Sequence, residues 1–327
     1  MHTRPLITSI GEALVDFVST SAGALARSVA FIKALGGEGA NVAVGLARLG
    51  SRSAFVGKVG DDPFGRFLVD ELRKSGVETS GVVFDRRFNT RLAFVSLARD
   101  GERDFAFWEK VPAGEQLRTS DIPITRLRSS RIVNIAALLL PKQPARTTAF
   151  AVADEALRAN RIVAFDANIR RALWASAAEV RRVMRQMIRR STILRLNQDE
   201  ALFLTGRKEQ EAQASALRSL GPSLVAITLG ARGSYFQTAS ASGFVPGFRV
   251  KAVDTTGCGD AFFAGLLHRL AQSKRPVGDL SREELTSICA FANAVGALTA
   301  LRRGGAAAIP TMPTVLKFLA KNAFHDR

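Results

Sequence analysis

The chain has 327 residues, and its 46 Lys and Arg against 29 Asp and Glu give a formal net charge of +17 at pH 7. With 47% apolar residues and only two cysteines, it is expected to bury a sizeable core, which excludes a disordered chain, a disulfide framework and a cysteine-based zinc site. No apolar run is long enough for a membrane span, and the N-terminal segment lacks the apolar stretch of a signal peptide. We therefore expect a cytoplasmic protein with no membrane partner.

The excess of positive charge would attract phosphate groups of any kind, and it is most concentrated in residues 179–191. There, Arg181, Arg185 and Arg189 recur every four residues and would lie on one face of a helix. No aromatic residue is interleaved with these cations, and no zinc-finger or RNP-like pattern occurs in the chain. We therefore expect no specific nucleic-acid partner and interpret the stripe as a solvated helix face.

Strand-like and helix-like runs alternate along the chain, which is the pattern of an α/β protein with a mainly parallel sheet covered by helices. Residues 6–10 and 54–59 are predicted strands, residues 40–49 are a predicted helix that stops at Gly50, and Asp62 is a predicted helix N-cap. Further strands are predicted at 162–165, 193–196 and 224–228, and further helices at 178–190, 198–204 and 212–220. No repeat or low-complexity linker divides these runs, so we expect a single domain over residues 1–327.

Two segments, approximately 14–34 and 88–111, break this alternation. Residues 14–31 lack a strong helical pattern, and residues 91–108 alternate apolar and polar side chains around Asp100-Gly101, a turn sequence typical of hairpins. We predict that the two segments form a small antiparallel sheet that closes, as a lid, over a ligand at the strand ends of the main sheet. The alternative is an edge hairpin without functional motion.

The segment from Phe248 to Leu267 passes from a strand-like run through a glycine turn into a helix. Gly257 and Gly259 would let backbone N–H groups approach an anion, and the helix N-terminus would add a partial positive charge. Asp260 places a carboxylate beside that anion site, where it could take the proton from an attacking hydroxyl. The pattern therefore favours phosphoryl transfer, against the alternative of an ordinary turn in which Asp260 only stabilises the helix end.

Five separated motifs occur in a characteristic order: GGEGANVAVGLARLG at 36–50, VGDDPFG at 59–65, LNQDEALFLTG at 196–206, AITLGARG at 226–233 and DTTGCGDAFFAGLL at 254–267. With these motifs the chain resembles the ribokinase-like, or PfkB, family of carbohydrate kinases over nearly its full length. The resemblance implies a ribokinase-like α/β fold with a small β lid. It also implies ATP-dependent transfer of the γ-phosphoryl group to a sugar hydroxyl.

The resemblance also implies roles for individual residues. Asp260 resembles the catalytic base, and the backbone N–H groups of Gly257, Cys258 and Gly259, together with that of Asp260, resemble the anion hole. The residues that match the family's sugar-binding positions are Asp16, Gly36, Gly37 and Asn41. A turn residue at a strand end is the alternative for Asp16, and helix capping is the alternative for Asn41.

On the nucleotide side, Asn197 and Glu200 match the family's NxxE motif near Mg²⁺ and the phosphates, with Glu200 binding the metal through water. Capping of the helix that follows is the alternative, and the two roles are compatible. Other positions that match the ATP-binding region are Thr228, Gly230, Gly233 and Asn293. Many relatives also bind a monovalent cation near the last motif, which makes Asp254 and Thr256 candidates for a K⁺ site.

Shorter segments of the chain resemble particular subfamilies and indicate the substrate. GEALVDF at 11–17, DGERDFAF at 100–107 and FDANIRRALW at 165–174 are similar to fructokinases, so fructose is the expected sugar. GGEGAN and LRLNQDEALFLTG are closer to 2-keto-3-deoxygluconate kinases, whose anionic substrate needs a cationic contact, for which Arg170 is a candidate. Glu109 stands where both subfamilies commonly have arginine, and a carboxylate facing the pocket there would disfavour an anionic sugar.

A function of another class is a noncatalytic kinase-like scaffold or nucleic-acid-binding protein, suggested by the charge of +17. The presence of Asp260, Asn197 and Glu200 argues against it, because a binding protein has no need for a base beside an anion loop. His268 is the only histidine away from the termini, and a packed or surface helix position explains it better than catalysis. Lid strands often provide edges for association in the family, so a homodimer is expected.

Overall fold

The computed structural model describes residues 6–21, 23–97 and 103–323. The strands of these residues are β1 (Leu6–Ile10), β2 (Leu14–Ser19), β3 (Phe31–Gly36), β4 (Arg52–Gly60), β5 (Glu78–Asp85), β6 (Leu92–Leu97), β7 (Arg103–Trp108), β8 (Ile132–Ala136), β9 (Ile162–Asp166), β10 (Ile193–Asn197), β11 (Leu224–Thr228), β12 (Gly233–Gln237) and β13 (Ser242–Pro246). The α-helices are α1 (Glu38–Arg48), α2 (Pro63–Lys74), α3 (Ile124–Ser129), α4 (Ala145–Arg158), α5 (Ala177–Ile188), α6 (Gln198–Thr205), α7 (Gln210–Arg218), α8 (Cys258–Gln272), α9 (Arg282–Thr299) and α10 (Met312–Ala323).

The larger sheet has nine strands in the order β13-β12-β11-β10-β9-β8-β1-β4-β5. All its neighbours from β11 to β5 are parallel, and β12 and β13 add two antiparallel strands at one edge. Helices cover both faces of this sheet, so alternate residues of one strand pack into different hydrophobic cores. In β11, Val225 and Ile227 pack with α4 to α7, whereas Leu224 and Ala226 pack with α1, α8 and α9. The predicted mainly parallel α/β architecture is confirmed.

The smaller sheet has the order β3-β2-β6-β7 and contains the strands of the two predicted lid segments. Its outer pairs are antiparallel, and its central pair, β2 and β6, is parallel. The sheet contacts α2, where the rings of Phe17 and Phe64 have centroids 5.8 Å apart and Lys33 Nζ lies 3.9 Å from the ring centroid of Phe67. The predicted turn at Asp100-Gly101 lies outside the described residues. Closure of this sheet over a ligand stays a prediction, as does the homodimer.

Helices α1 and α8 run side by side in the same direction. A Cβ added to Gly45 would lie 2.7 Å from Cβ of Ala264, so the absence of a side chain at Gly45 lets the two helices approach closely. One turn earlier, Asn41 and Asp260 are joined by a hydrogen bond. This close packing brings the N-terminal ends of both helices to the same edge of the larger sheet.

One expectation that concerns another residue, His268, is also tested by the packing. His268 is 3% exposed and is bonded on both ring nitrogens, with Ser51 Oγ 2.8 Å from Nδ1 and Gln272 Nε2 2.8 Å from Nε2. It is a packed helix residue, as predicted. Within residues 6–21, 23–97 and 103–323, no helix combines the length and the apolar character needed to span a bilayer.

Candidate active site

The candidate site lies at the carboxyl edge of the larger sheet. Asp166, Asn197 and Thr228 are the last residues of β9, β10 and β11, which are adjacent parallel strands. The loop between β3 and α1 and the N-terminus of α8 reach the same edge, as the contact between Asn41 and Asp260 shows. Open α/β sheets bind their ligands at this edge, because parallel strands deliver all their connecting loops there.

Asp260 lies in the first turn of α8 and is 8% exposed. Its Oδ2 accepts a hydrogen bond of 2.7 Å from Nδ2 of Asn41. Burial raises the pKa of Asp260 from 3.8 to about 6, and the nearby charge of Asp166 acts in the same direction. The hydrogen bond from Asn41 and the charges of Arg170 and Arg195 limit that rise. A carboxylate with a pKa just below neutral pH is well suited to act as a general base.

The glycine turn before α8 has the geometry that the sequence predicts. Gly257 is the N-cap with a φ of 74°, in the left-handed region that glycine adopts without strain. The first N–H groups of a helix have no acceptor inside the helix, and the described residues offer none to Gly259 and Asp260. Cys258 N–H instead donates to Thr255 O at 3.3 Å. The turn can therefore present N–H groups to an anion, with the helix dipole adding partial positive charge.

The predicted sugar-binding residues lie together beside this turn. A Cβ on Gly36 would come within 2.2 Å of Asp16 Oδ2, so the Asp16 carboxylate lies directly against the glycine. Gly37 has a φ of 98° and is the N-cap of α1, so the alternative in which Asn41 caps that helix is wrong. Oδ1 of Asn41 is buried and has no hydrogen-bond partner among the described residues. It is a vacant acceptor beside the carboxylate of Asp260.

Two further charged residues flank Asp260. Arg170 is exposed in the loop after β9, and its charge lowers the pKa of both Asp260 and Glu38. Glu38 is the first residue of α1, is 3% exposed, and accepts the N–H of Ala137 at 3.1 Å. Burial, with the charges of Asp166 and Asp260, raises the pKa of Glu38 well above 4.5, which favours its neutral form. Glu38 is a site residue that the sequence motifs do not indicate.

Asn197 and Glu200 form a capping box at the start of α6. Asn197 Oδ1 accepts the N–H of Glu200 at 2.9 Å, and Glu200 Oε2 accepts the N–H of Asn197 at 2.8 Å. Glu200 Oε1 also accepts the N–H of Ile169 at 2.7 Å, which joins the loops after β9 and β10. The capping role is therefore confirmed, and each carboxylate oxygen keeps a second lone pair for a water molecule. The role of these residues toward a metal stays a prediction.

A cavity of about 390 Å³ opens beside the glycine turn, within the size range of small-molecule sites. Four residues that are predicted to bind ATP line this cavity: Thr228, Gly230, Gly233 and Asn293. Gly259 and Arg195 line it as well. Asn293 Nδ2 is already used to hold β13, because it donates to the carbonyls of Val245 and Pro246 at 3.2 and 3.1 Å. These four predicted residues thus share one cavity with Gly259, the neighbour of Asp260 in the glycine turn.

Asp254 and Thr256, the predicted cation-binding pair, are bonded to each other. Asp254 Oδ1 accepts both the N–H and the hydroxyl of Thr256, at 2.8 and 2.6 Å. The described residues contain no cluster of three or more His, Cys, Asp or Glu that would hold a metal on its own. A cation at this position would thus depend on backbone oxygens and water as well, and it stays a prediction.

A buried ion pair that the sequence motifs do not indicate lies against the glycine turn at Gly259. Asp166 is fully buried, and its Oδ2 lies 2.8 Å from Nη1 of Arg195, which is 7% exposed. Burial raises the pKa of Asp166 even though Arg195 acts in the opposite direction. A signal was present, since Arg195 interrupts an otherwise apolar strand, ILRL, and buried charges are rare unless paired.

The bond from Asn41 to Asp260 predicts a pH effect. In Asn41→Leu, the pKa of Asp260 should rise, because the lost hydrogen bond stabilises the ionised carboxylate. We expect the acid limb of the pH profile of kcat/KM to move upward from about pH 6 by about 1–2 pH units. A shift of this size corresponds to the free energy of one hydrogen bond to a charged group. The exposed Asn89, which donates to Glu109 Oε2 at 3.3 Å, provides the control Asn89→Ala with an unchanged limb. An unmoved limb in Asn41→Leu would contradict the coupling.

Comparison with known proteins agrees with this geometry. The sequence pattern described as pfkB family carbohydrate kinase matches residues 4–312. The chain is 38% identical over 318 residues to a probable fructokinase-2 of Arabidopsis thaliana, covering 97% of this chain and 96% of that protein.

Two solved structures are also similar. One is a fructokinase with bound ATP from Xylella fastidiosa, with a TM-score of 0.89 and 31% identity over 97% of this chain and 99% of that one. The other is a double-mutant fructokinase from Vibrio cholerae O395 in a form that holds fructose, ADP and potassium ion, with a TM-score of 0.87 and 32% identity, again over 97% and 99%.

Proposed function

Because the chain belongs to the pfkB family of carbohydrate kinases, it transfers the γ-phosphoryl group of ATP to a sugar hydroxyl, and we propose that the sugar is fructose. One observation carries the proposal. Residues from two of the fructokinase-like segments lie beside the site of Asp260: Asp16 lies against Gly36, in the chain segment that leads to Asn41 and its bond with Asp260, and the charge of Asp166 raises the pKa of Asp260. Fructokinases are also the relatives reported above, over nearly the full length of each chain.

The sugar would be held by hydrogen bonds from its hydroxyls to side-chain acceptors of the site. The carboxylate of Asp16 can accept hydrogen bonds from two neighbouring hydroxyls, and the vacant Oδ1 of Asn41 can accept a third. A terminal hydroxyl placed beside Asp260 would lose its proton to that carboxylate, which is mostly ionised at neutral pH because its pKa is about 6. The oxygen so activated would attack the γ-phosphorus while the bond from that phosphorus to the β,γ-bridging oxygen breaks, so that ADP is the leaving group.

ATP would occupy the cavity lined by Thr228, Gly233 and Asn293, with its phosphates toward the glycine turn. Backbone N–H groups of the turn would then stabilise the negative charge that builds up on the transferred group. We expect Asn197 and Glu200 to hold Mg²⁺ through water, which suits an ion that keeps much of its hydration shell, and Mg²⁺ would neutralise charge on the phosphates. A K⁺ ion near Asp254 and Thr256 completes the proposed set of ligands.

A 2-keto-3-deoxygluconate kinase is the second candidate, favoured by the position of Arg170, whose cation lies near Asp260. Glu38 does not favour it, since this second buried carboxyl beside Asp260 provides no cation and would repel an anionic substrate in its ionised form. Glu109 has a φ of 98° and accepts a bond from Asn89, so its carboxylate is directed to that side chain. Fructose carries no charge and needs no cationic contact.

The test is ADP release by the purified protein with Mg-ATP and, in separate reactions, fructose, 2-keto-3-deoxygluconate, ribose or adenosine. We expect the highest kcat/KM with fructose. A preference for the sugar acid would overturn the proposed substrate while leaving the kinase activity intact. No turnover with any of the four would instead support a noncatalytic protein.

Two variants make the assay specific for this site. Asp260→Ala, prepared in the same way, reveals any contaminating kinase, because its activity should be lost. Asp16→Ala should raise the KM for fructose about 10- to 100-fold, as expected for losing bonds to a charged acceptor, with the KM for ATP unchanged. Ser19→Ala on the same strand is the matched control, since Ser19 Oγ donates to Ser21 O and contacts no proposed substrate residue. An unchanged fructose KM in Asp16→Ala would remove Asp16 from the sugar site.

A further inference from the structure

Arg195 is a cation placed where a strand of this kind normally has an apolar residue. It lies in the middle of β10, between Leu194 and Leu196, both of which are fully buried, and it is itself only 7% exposed. Placing a charge in such a strand is costly unless it is paired, and even a paired charge gives little stability compared with an apolar side chain. A stabilising role alone therefore does not explain why a guanidinium is found there.

The guanidinium is held in one orientation by two acceptors. Nη1 donates to Oδ2 and Oδ1 of Asp166 at 2.8 and 3.1 Å, and Nη2 donates to Oγ1 of Thr228 at 2.6 Å. Burial alone would lower the pKa of Arg195, but the negative charges of Asp166 and Glu200 outweigh it and raise the pKa. The side chain is therefore a permanent, fixed cation with five N–H bonds, more than these acceptors use.

The same guanidinium lies directly against the glycine turn. A Cβ added to Gly259 would come within 2.7 Å of Nη1, 2.8 Å of Nη2 and 3.0 Å of Cζ. Such a Cβ has no room, since Asp166 and Thr228 hold the guanidinium in place. Glycine at this position thus leaves the cation adjacent to the backbone N–H groups of the turn, and Arg195 and Gly259 line the same cavity of about 390 Å³.

We propose that Arg195 is a catalytic residue whose guanidinium contacts the transferred phosphoryl group of ATP, and that Asp166 is the positioning residue that orients it. The group that moves from ATP to the sugar carries negative charge on its three peripheral oxygens throughout the transfer. A fixed guanidinium beside the N–H groups of Gly259 and Asp260 would bind those oxygens with charge-assisted hydrogen bonds. The inference rests on the ATP-dependent phosphoryl transfer, and it is independent of which sugar is the acceptor.

The first test compares Arg195→Gln with the neutral double variant Asp166→Asn/Arg195→Gln. Arg195→Gln should lower kcat about 10²- to 10³-fold, which is typical for the loss of one donor to the transition state. It also leaves Asp166 as a buried, unpaired charge, so the single variant alone mixes two effects. The double variant removes that charge and should remain at least about 10²-fold slower than the wild type. Recovery of the double variant to within about threefold would mean that Arg195 only neutralises Asp166, and would overturn the proposal.

The second test measures nucleotide binding without any sugar, by calorimetry, so that its outcome does not depend on the proposed substrate. AMP, which lacks the transferred group, should bind wild type and Arg195→Gln equally, whereas ATP should bind the variant about 10-fold more weakly, as expected for one lost charged contact. Asp166→Asn should lower kcat and keep its AMP affinity, as expected of a positioning residue. Equal ATP affinities, with kcat within threefold, would overturn the assignment.

The matched control is another buried cation outside the site. Lys58 is 6% exposed, lies 2.7 Å from Asp121 Oδ2, and donates to Gln116 O at 3.1 Å. Lys58→Gln should lower the thermal stability much as Arg195→Gln does, while leaving kcat and the ratio of ATP to AMP affinity at wild-type values. If it lowered that ratio equally, the loss in Arg195→Gln would be a general effect of removing a buried cation, and the proposal would fail.

Discussion

Asp260→Asn is expected to lower kcat about 10²- to 10⁴-fold, the usual contribution of a general base. Asparagine has nearly the size and shape of aspartate, and its Oδ1 can still accept the hydrogen bond from Asn41 Nδ2. What it cannot do is take up the proton of the attacking hydroxyl. Single-turnover measurements with ATP and fructose would isolate the chemical step, and a kcat close to that of the wild type would contradict the assignment of Asp260 as the base.

The same variant should be more stable than the wild type at high pH. Because the pKa of Asp260 is about 6 in the folded chain and ordinarily 3.8, the folded state binds more protons than the unfolded state between these values. The free energy of unfolding of the wild type therefore falls as pH rises from about 4 to 6. Above pH 6 the ionised, buried Asp260 costs the wild type about 2–3 kcal/mol, and this cost is absent in Asp260→Asn. Urea unfolding of both proteins at about pH 4 and about pH 8 would measure this cost. The prediction is contradicted if the difference in their free energies of unfolding is the same at both pH values.

Gly37→Ala is expected to cause a large loss of stability. Gly37 has a φ of 98°, and a Cβ there would lie 2.4 Å from the backbone oxygen of Glu12. Because the backbone fixes the position of a Cβ and the Glu12 oxygen belongs to the main chain, the clash cannot be relieved by a side-chain rotation. We expect a loss of about 3–5 kcal/mol in the free energy of unfolding, from strained backbone and overpacking together.

Gly206→Ala is the matched control for this effect. Gly206 ends α6 with a φ of 71°, and a Cβ there would meet nothing within 4 Å, so the substitution introduces backbone strain without a clash. It should cost only about 1–2 kcal/mol. Denaturant unfolding of both variants gives the two free energies, and equal losses would mean that the contact with Glu12 has no part in fixing the loop. Gly37→Ala should also lower kcat/KM for fructose, because the loop that carries it leads into Asn41.

The glycine turn could be predicted from the sequence because it is local. Gly257, Gly259 and Asp260 are consecutive or nearly so, and their conformation follows from residue type and from the helix that begins there. The contact between Asn41 and Asp260 is different, since 219 positions separate them. Each residue was assigned to the site from a motif, but helix capping explained Asn41 equally well until the packing of α1 against α8 was known.

The ion pair between Asp166 and Arg195 shows a second limit. The two residues come from neighbouring strands, and their pairing depends on the strand order and the register of β9 and β10, in which Asp166 is paired with Arg195 itself. Strand order depends on contacts between distant parts of the chain, and the local pattern does not encode it. A charged residue inside an apolar strand indicates that a partner exists, but it does not identify the partner.

Some elements could not be predicted for a simpler reason. Residues 132–140 form an apolar run interrupted only by Asn134, and of this run Ile132–Ala136 is a strand and Ala137–Leu139 a short 3₁₀ helix. A run that is buried on all sides has no hydrophobic periodicity, so a strand and a helix cannot be distinguished within it. The predicted strands at 6–10 and 224–228 have the bounds found in the structure, because loops with polar residues or glycine delimit them.

The close packing of α1 against α8 at Gly45 determines when the conformational entropy of the catalytic base is lost. Because Gly45 and Ala264 are in contact one turn beyond Asn41 and Asp260, the relative position of these two side chains is set by the rigid body of the protein. The conformational freedom of the base is therefore lost once, during folding, and not again in each catalytic cycle. Movement of the small sheet could then control when the sugar enters and leaves while the orientation of the proton acceptor stays constant, so that ligand exchange and base alignment are mechanically separate.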